Sequence, residues 1–322
     1  MTKFTTYIYT YIQRLAYAAI FLFIITSCSD DDSEPQGIRM PIVIAIPAEG
    51  VASRVLGDPG EPELFLKPEN VYLYVYTEGA DDVKGVQEIA ITNINEGNWI
   101  LQGDMYVYSG SPSVRIPNGL VGGRIYAVAG TVSKGEIGMS PAPTTLEEIK
   151  NLTYDCNLVD GSREYMKHLY STPVITDPSH PQFNNGVIDV SDGLPKATVV
   201  CYHVGAKVDV KWNINPDDVH GRKLKSLSLP GLYYKDRYIF RPTQNTASGD
   251  DKYEEFVISE SDVTPATEYY GRCAVYIPQP ADGDLNVKIT YKNDSSDDRT
   301  LQPSDYDPIF TSWYRVNMKV GY

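Results

Sequence analysis

The sequence predicts an all-β protein, two β-sandwiches in tandem with one short helix in the first. Three observations lead there. Several runs alternate apolar and polar side chains with period two, the pattern of strands with one buried face. Pro and Gly recur between short apolar runs, as they do between the strands of a sandwich. Tyrosine is abundant, at 25 residues, and much of it falls in the alternating runs, where aromatic side chains suit a pleated surface.

Taken in order, residues 1–27 read as an export signal. Lys3 and Arg14 give positive charge, and Leu15 to Ile25 is an apolar run too short to span a bilayer permanently. Thr26-Ser27-Cys28 then places a small residue directly before a cysteine, the pattern of a lipoprotein signal in which the Cys28 thiol is acylated. Two or three acyl chains anchor a protein stably where one does not. The alternative is an ordinary signal peptide with an incidental cysteine. Residues 28–40 read as a polar tether that opens on Ser29-Asp30-Asp31-Asp32.

Residues 41–196 are the expected N-terminal sandwich. Pro41 to Ile46 is a β-prone stretch with Ile42, Ile44 and Ile46 on one face and Val43 and Ala45 on the other. Both faces are apolar, which predicts burial on both sides. The polar Pro47–Pro62 segment reads as an exposed loop whose basic residue is Arg54. Val71 to Tyr76 puts valine and leucine on one face and tyrosine on the other. Trp99 to Leu101, Tyr106 to Tyr108, Ser113 to Ile116 and Arg124 to Ala129 are further strands. Thr145 and Glu148 then fit a capping box, and Leu146, Ile149 and Leu152 fall on one helical face. Ser171 to Ile175 and Gly186 to Val190 return to strand.

Residues 197–322 are the expected C-terminal sandwich. Val204, Ala206, Val208, Val210 and Trp212 alternate with polar residues or glycine, in a run long enough to cross a domain junction. Strands are expected at Leu224–Leu229, Tyr238–Phe240, Phe256–Ile258, Arg272–Ile277 and Val287–Tyr291. Tyr314 to Tyr322 closes the chain with the same alternation.

The remaining composition narrows the function. A net charge of −14 with no Lys/Arg cluster argues against nucleic acid or anionic lipid as a partner. Cys156, Cys201 and Cys273 form no CxxC pair, and the four histidines are scattered. No nucleotide-binding or hydrolase motif occurs, so neither an enzyme nor a cofactor is expected. The aspartate-rich patches lack the spacing of a calcium loop and read as solvated loops.

Several of these stretches, in this order, resemble the Bacteroidales fimbrillins, subunits of type V pili and their anchoring lipoproteins. The features that match are Cys28 with its acidic tag, the Ile42–Ile46 strand followed by Ser53-Arg54-Val55, and the strand Val71–Tyr76. They continue with Gly-Arg-Ile-Tyr-Ala-Val-Ala leading to the Thr145–Leu152 helix, the Val199–Trp212 strand, and Trp313-Tyr314-Arg315-Val316. The resemblance implies two transthyretin-like Greek-key sandwiches, no enzymatic activity, and an outer-membrane, cell-surface location with a lipid anchor at least during export. It implies other fimbrial subunits as partners, with a host or bacterial surface ligand as a further candidate. It also implies assembly by donor-strand exchange, in which proteolysis after Arg54 removes the strand bearing Ile42, Ile44 and Ile46. Arg39, placed before that strand, would on cleavage release the lipid without opening a groove. The family's major subunits continue past the closing strand into a donor segment, whereas this sequence ends at Tyr322. The expectation is therefore a tip, accessory or anchoring subunit. The competing reading is a surface glycan-binding lipoprotein of a nutrient-uptake system, which needs exposed clusters of Trp or Tyr.

Overall fold

The computed structural model describes residues 37–48, 67–79, 84–131, 142–154, 169–180, 182–191, 193–233, 237–241, 252–278, 284–301 and 313–321. The chain opens with β1 (Gly37–Pro47), β2 (Asn70–Gly79), β3 (Lys84–Ile91), β4 (Trp99–Gln102), β5 (Met105–Tyr108), β6 (Ser113–Pro117) and β7 (Leu120–Gly130). Helix α1 (Leu146–Lys150) precedes β8 (Thr153–Tyr154), β9 (Tyr170–Ser171), β10 (Ala197–Val200) and β11 (Tyr202–His203). The remainder is β12 (Gly205–Ile214), β13 (Leu224–Tyr233), β14 (Arg237–Tyr238), β15 (Lys252–Ile258), β16 (Tyr270–Pro278), β17 (Leu285–Tyr291), β18 (Ser296–Leu301) and β19 (Trp313–Val320).

The protein is all-β, as expected. One sheet runs β10-β1-β5-β4 with β6 also paired to β1, and a second runs β11-β9-β7-β2-β3. Downstream, a three-stranded sheet β16-β12-β19 accompanies a four-stranded sheet β15-β13-β17-β18. Strand β2 shows why these sheets stack. Val71, Leu73 and Val75 enter one core with Ile42, Ile44 and Ile46, while Tyr72, Tyr74 and Tyr76 enter a second. Burial on that second side pushes the Tyr74 and Tyr126 hydroxyls up in pKa; it also takes Tyr76 to about 12, helped by its bond to Glu78.

The capping reading of α1 holds, with a shifted partner. Thr145 Oγ1 accepts from the Glu148 amide at 3.2 Å, while the Glu148 carboxylate reaches back to the amide and hydroxyl of Thr144, at 2.7 and 2.9 Å. Ile149 is fully buried.

Three expectations need correction. Residues 37–40, assigned to the tether, are already strand, because Met40 continues the Ile42, Ile44, Ile46 face and is fully buried. Arg39 accordingly lies within β1, opposite Arg115. The expected single strand through Trp212 is three, and its first residues do not open the second block: Ala197–Val200 pair with β1 and Tyr202-His203 with β9. Sheet partners change at Gly205, where β12 begins its ladder with β16.

The two blocks also share a core, which contains Tyr74 and Tyr126 together with Val208, Leu227 and Phe240. The segment Arg237–Arg241 joins them. Strand β14 pairs with β8, the Val174 amide donates to the Phe240 carbonyl at 2.8 Å, and the Tyr126 and Phe240 rings meet edge-on at 5.3 Å. Arg241 donates to the Lys150 carbonyl at 2.9 Å, against the C-terminal end of α1.

The end of β19 is held by the 215–222 turn. Asn215 donates from its backbone to the Val320 carbonyl and from its side chain to the Gly321 carbonyl. Gly321 has φ +72°, and a Cβ there would stand 2.5 Å from Asp218 Oδ1. Asp218 accepts from the Arg222 guanidinium at 2.8 and 3.0 Å and from its amide at 3.0 Å, which hold its carboxyl well below the usual carboxylate range. A depressed folded-state pKa stabilises fully above the unfolded value of about 3.9 and is lost as pH falls through the folded one. Below about pH 4, wild type should therefore lose urea resistance more steeply than Asp218→Asn, which starts less stable at pH 7. Parallel pH profiles for the two proteins would rule out this coupling.

Candidate functional site

The stretch singled out by sequence, Ile42 to Ile46, lies in the interior of a sheet. Along one edge of β1, Ile42 to Ala45 pair in parallel with Ala197 to Val200. Along the other edge β6 and β5 run antiparallel, Gly37–Pro41 opposite Pro117–Ser113 and Ala45–Pro47 opposite Val107–Met105. Backbone bonds continue the ladder: the Ile42 amide donates to the Pro112 carbonyl, the Cys201 amide to the Ala45 carbonyl, and the Ala48 amide to the Asp104 carbonyl, each at 2.9 Å.

The two faces differ as the alternation requires. Met40, Ile42, Ile44 and Ile46 are at most 2 % exposed and pack with Val71, Leu73, Ile125 and Val199. On the opposite face Ala45 sits with Val200 and Tyr202 in a small separate cluster, flanked by Met105 and Val107. Burying these four large side chains stabilises the native state by roughly 1.5–3 kcal/mol each.

Strand β10 has β1 on one side only, and its other side is closed by a side chain. The Asn185 amide group donates to the Val200 carbonyl at 2.8 Å and accepts from the Val200 amide at 2.8 Å, imitating a strand. The Gly186 amide donates to the Thr198 carbonyl at 3.0 Å. Gly186 takes φ +74° and comes so close to Ile125 that a Cβ would stand 2.3 Å from its carbonyl oxygen, so only glycine fits. Met40 and Asn185 both escaped the sequence reading. The period-two continuation through Arg39 could have found Met40; nothing local marks Asn185.

Cys28, Arg54 and Cys156 lie outside the described residues. Cys201 is fully buried, which pushes its thiol up, and Cys273 is half-buried. Trp99 and Trp212 are buried, their ring N–H groups donating to the Pro68 and Thr267 carbonyls at 2.9 and 2.8 Å. Neither belongs to an exposed aromatic cluster. Among the described residues, no group of three or more His, Cys, Asp or Glu is placed to hold a metal ion, and no helix is long and apolar enough to cross a membrane.

No family model matches the chain, and no curated protein matches it in sequence. Among solved structures, it is similar to the tip fimbrial protein Mfa3 of Porphyromonas gingivalis, with a TM-score of 0.46 and 12 % identity over 84 % of this chain and 83 % of that one. It is also similar to a fimbrial assembly protein of Parabacteroides distasonis, with a TM-score of 0.41 and 13 % identity over 88 % of this chain and 91 % of that one.

Proposed function

We propose that this protein is a fimbrial subunit of the tip, accessory or anchoring kind, exported as a lipoprotein through Cys28 and joined to other subunits by strand exchange at the β1 position. The observation that carries the reading is the placement of β1: an N-terminal strand, interior to its sheet, with four buried side chains on one face and paired backbone on both edges. Taking out such a strand leaves a groove with two open edges and regularly spaced apolar pockets. An extended segment of another subunit fills it, with backbone hydrogen bonds supplying pairing and the alternating side chains supplying register. The chain acts as two units that meet near Gly205, the second supporting the first through the shared core.

Cleavage after Arg54 supplies the release step, since it separates β1 from the body of the protein. Arg54→Ala is expected to leave a full-length, lipid-tethered monomer that fails to enter fibres. Intact-mass and N-terminal measurements on protein recovered from cells read both modifications directly. Assembly of Arg54→Ala at the wild-type level would overturn the cleavage step, and a mature N-terminus without acyl mass at Cys28 would overturn the anchor.

A further inference from the structure

Strands β16, β12 and β19 form a sheet whose inner side chains, Val210, Trp212 and Met318 among them, belong to the shared core. Alternation turns the residues between them outward, and register lines up those of the three strands in rows. Lys211 lies opposite Arg272 on one side and Asn317 on the other; in the next row Asn213 lies between Tyr270 and Lys319. All six are exposed, Tyr270 by 69 %. Strand register continues the face through Asp209, paired with Arg315, to Lys207.

Two features set this face apart from an ordinary polar surface. Lys211 and Arg272 are cross-strand partners, and like charges directly opposite each other destabilise a sheet. Lys319 adds a third cation on the adjoining strand, and neither row contains an acid. Among the described residues, neither Lys211 nor Lys319 forms an ion pair or a side-chain hydrogen bond. The chain as a whole carries 42 acidic residues against 28 basic ones, so gathering cations on one face runs against its composition. The cluster is invisible along the sequence because each cation comes from a different strand. Repulsion kept at an exposed position, where a neutral side chain would fit, is accounted for by an anion that arrives from outside.

We propose that this face binds a linear anionic polysaccharide. Its carboxylates are received by Arg272, Lys211 and Lys319, its hydroxyls exchange hydrogen bonds with Asn213 and Asn317, and the Tyr270 ring offers one sugar a flat apolar surface. The cations are spread over three strands of an open face, which suits a polymer bearing a charge on each unit. The two rows contain no aliphatic side chain, so they lack the apolar centre around which a protein interface is built. An extended peptide adds along the edge of a sheet through its backbone, whereas this track crosses the strands. The inference is independent of strand exchange, because β12, β16 and β19 lie outside the β1 sheet.

The test is calorimetric titration of the folded protein with hexagalacturonate, monomeric galacturonate, neutral cellohexaose and hexaglutamate, together with co-sedimentation with phosphatidylglycerol vesicles. The expected result is saturable hexagalacturonate binding that shifts the backbone amides of Lys211, Arg272 and Lys319 and weakens as salt is added. Lys211→Gln and Lys319→Gln should each lower the affinity about threefold, and the double variant about tenfold. Lys211→Gln should also match or exceed the wild-type urea midpoint, since it relieves the repulsion with Arg272. A lower midpoint would overturn the reading of that pair as repulsive. Unchanged affinity in the double variant would move the site elsewhere. Equal binding of galacturonate would overturn the polymer, and equal binding of cellohexaose the role of the carboxylates. Tighter binding of hexaglutamate, or capture by the vesicles in preference to hexagalacturonate, would overturn the saccharide in favour of an acidic peptide or a membrane surface. Absence of saturation at millimolar hexagalacturonate would overturn the site itself.

Discussion

Ile44→Asp is expected to unfold the N-terminal sheets under conditions where the wild type is fully folded. Ile44 is 0 % exposed and projects between Ile42 and Ile46 into the core shared with Leu73, Ile125 and Val199. Truncation of such a side chain to alanine alone costs about 2–5 kcal/mol. An aspartate there adds a carboxylate with no buried partner, and a domain's whole stability is only about 5–15 kcal/mol. Val43, on the opposite face and partly exposed, supplies the comparison. Val43→Thr should shift the urea midpoint only slightly while Ile44→Asp abolishes the cooperative transition. If Ile44→Asp retained a wild-type midpoint, β1 would not be integral to the core, and the strand-exchange reading would lose its physical basis.

The second large effect is expected from Asn185→Ala. This substitution removes a side chain that satisfies both backbone groups of Val200 in a buried setting, Asn185 itself being 6 % exposed. Each orphaned buried group costs about 1–3 kcal/mol, so the pair should cost roughly 2–6 kcal/mol. The Val200 amide should exchange with solvent far faster than in the wild type. The outer side of β10 would also become an unprotected edge, so the variant should self-associate at concentrations where the wild type is monomeric. A loss below about 1 kcal/mol, with Val200 still protected, would show that water replaces the amide and that the clamp is incidental.

These two residues mark how far the sequence could be read. Ile44 was legible because its role follows from period-two alternation, a property of six adjacent residues. Asn185 was not, because its partner is fifteen residues further on and the contact exists only once β10 has docked against β1. Strands β3 and β18 were missed for a related reason. Lys84–Ile91 and Ser296–Leu301 are edge strands with charged or polar residues on both faces, so the alternation that marks a half-buried strand is weak in them. The two stretches expected as strands at Ser171–Ile175 and Gly186–Val190 reduce to a short pairing and isolated bridges, since their backbone bonds go to Phe240, Gly123 and Lys196 in irregular order.

By itself the sequence determined the all-β class, the short helix at Leu146–Lys150 with its cap, and which face of each alternating strand is apolar. All of these are local: the pleat sends neighbouring side chains to opposite faces whatever lies beyond them. Only the tertiary structure decided which strands are neighbours. The parallel pairing of β1 with β10 joins residues more than 150 positions apart, and no pattern in either strand names the other. Burial of Tyr72, Tyr74 and Tyr76 was likewise decided by the docking of the C-terminal block, because a tyrosine face suits solvent and core equally until another layer covers it. The change of sheet partners along residues 197–214 was decided in the same way. Alternation continues almost unbroken from Ala197 to Trp212, and it is the exchange of hydrogen-bonding partners at Gly205 that divides one run of residues among three sheets.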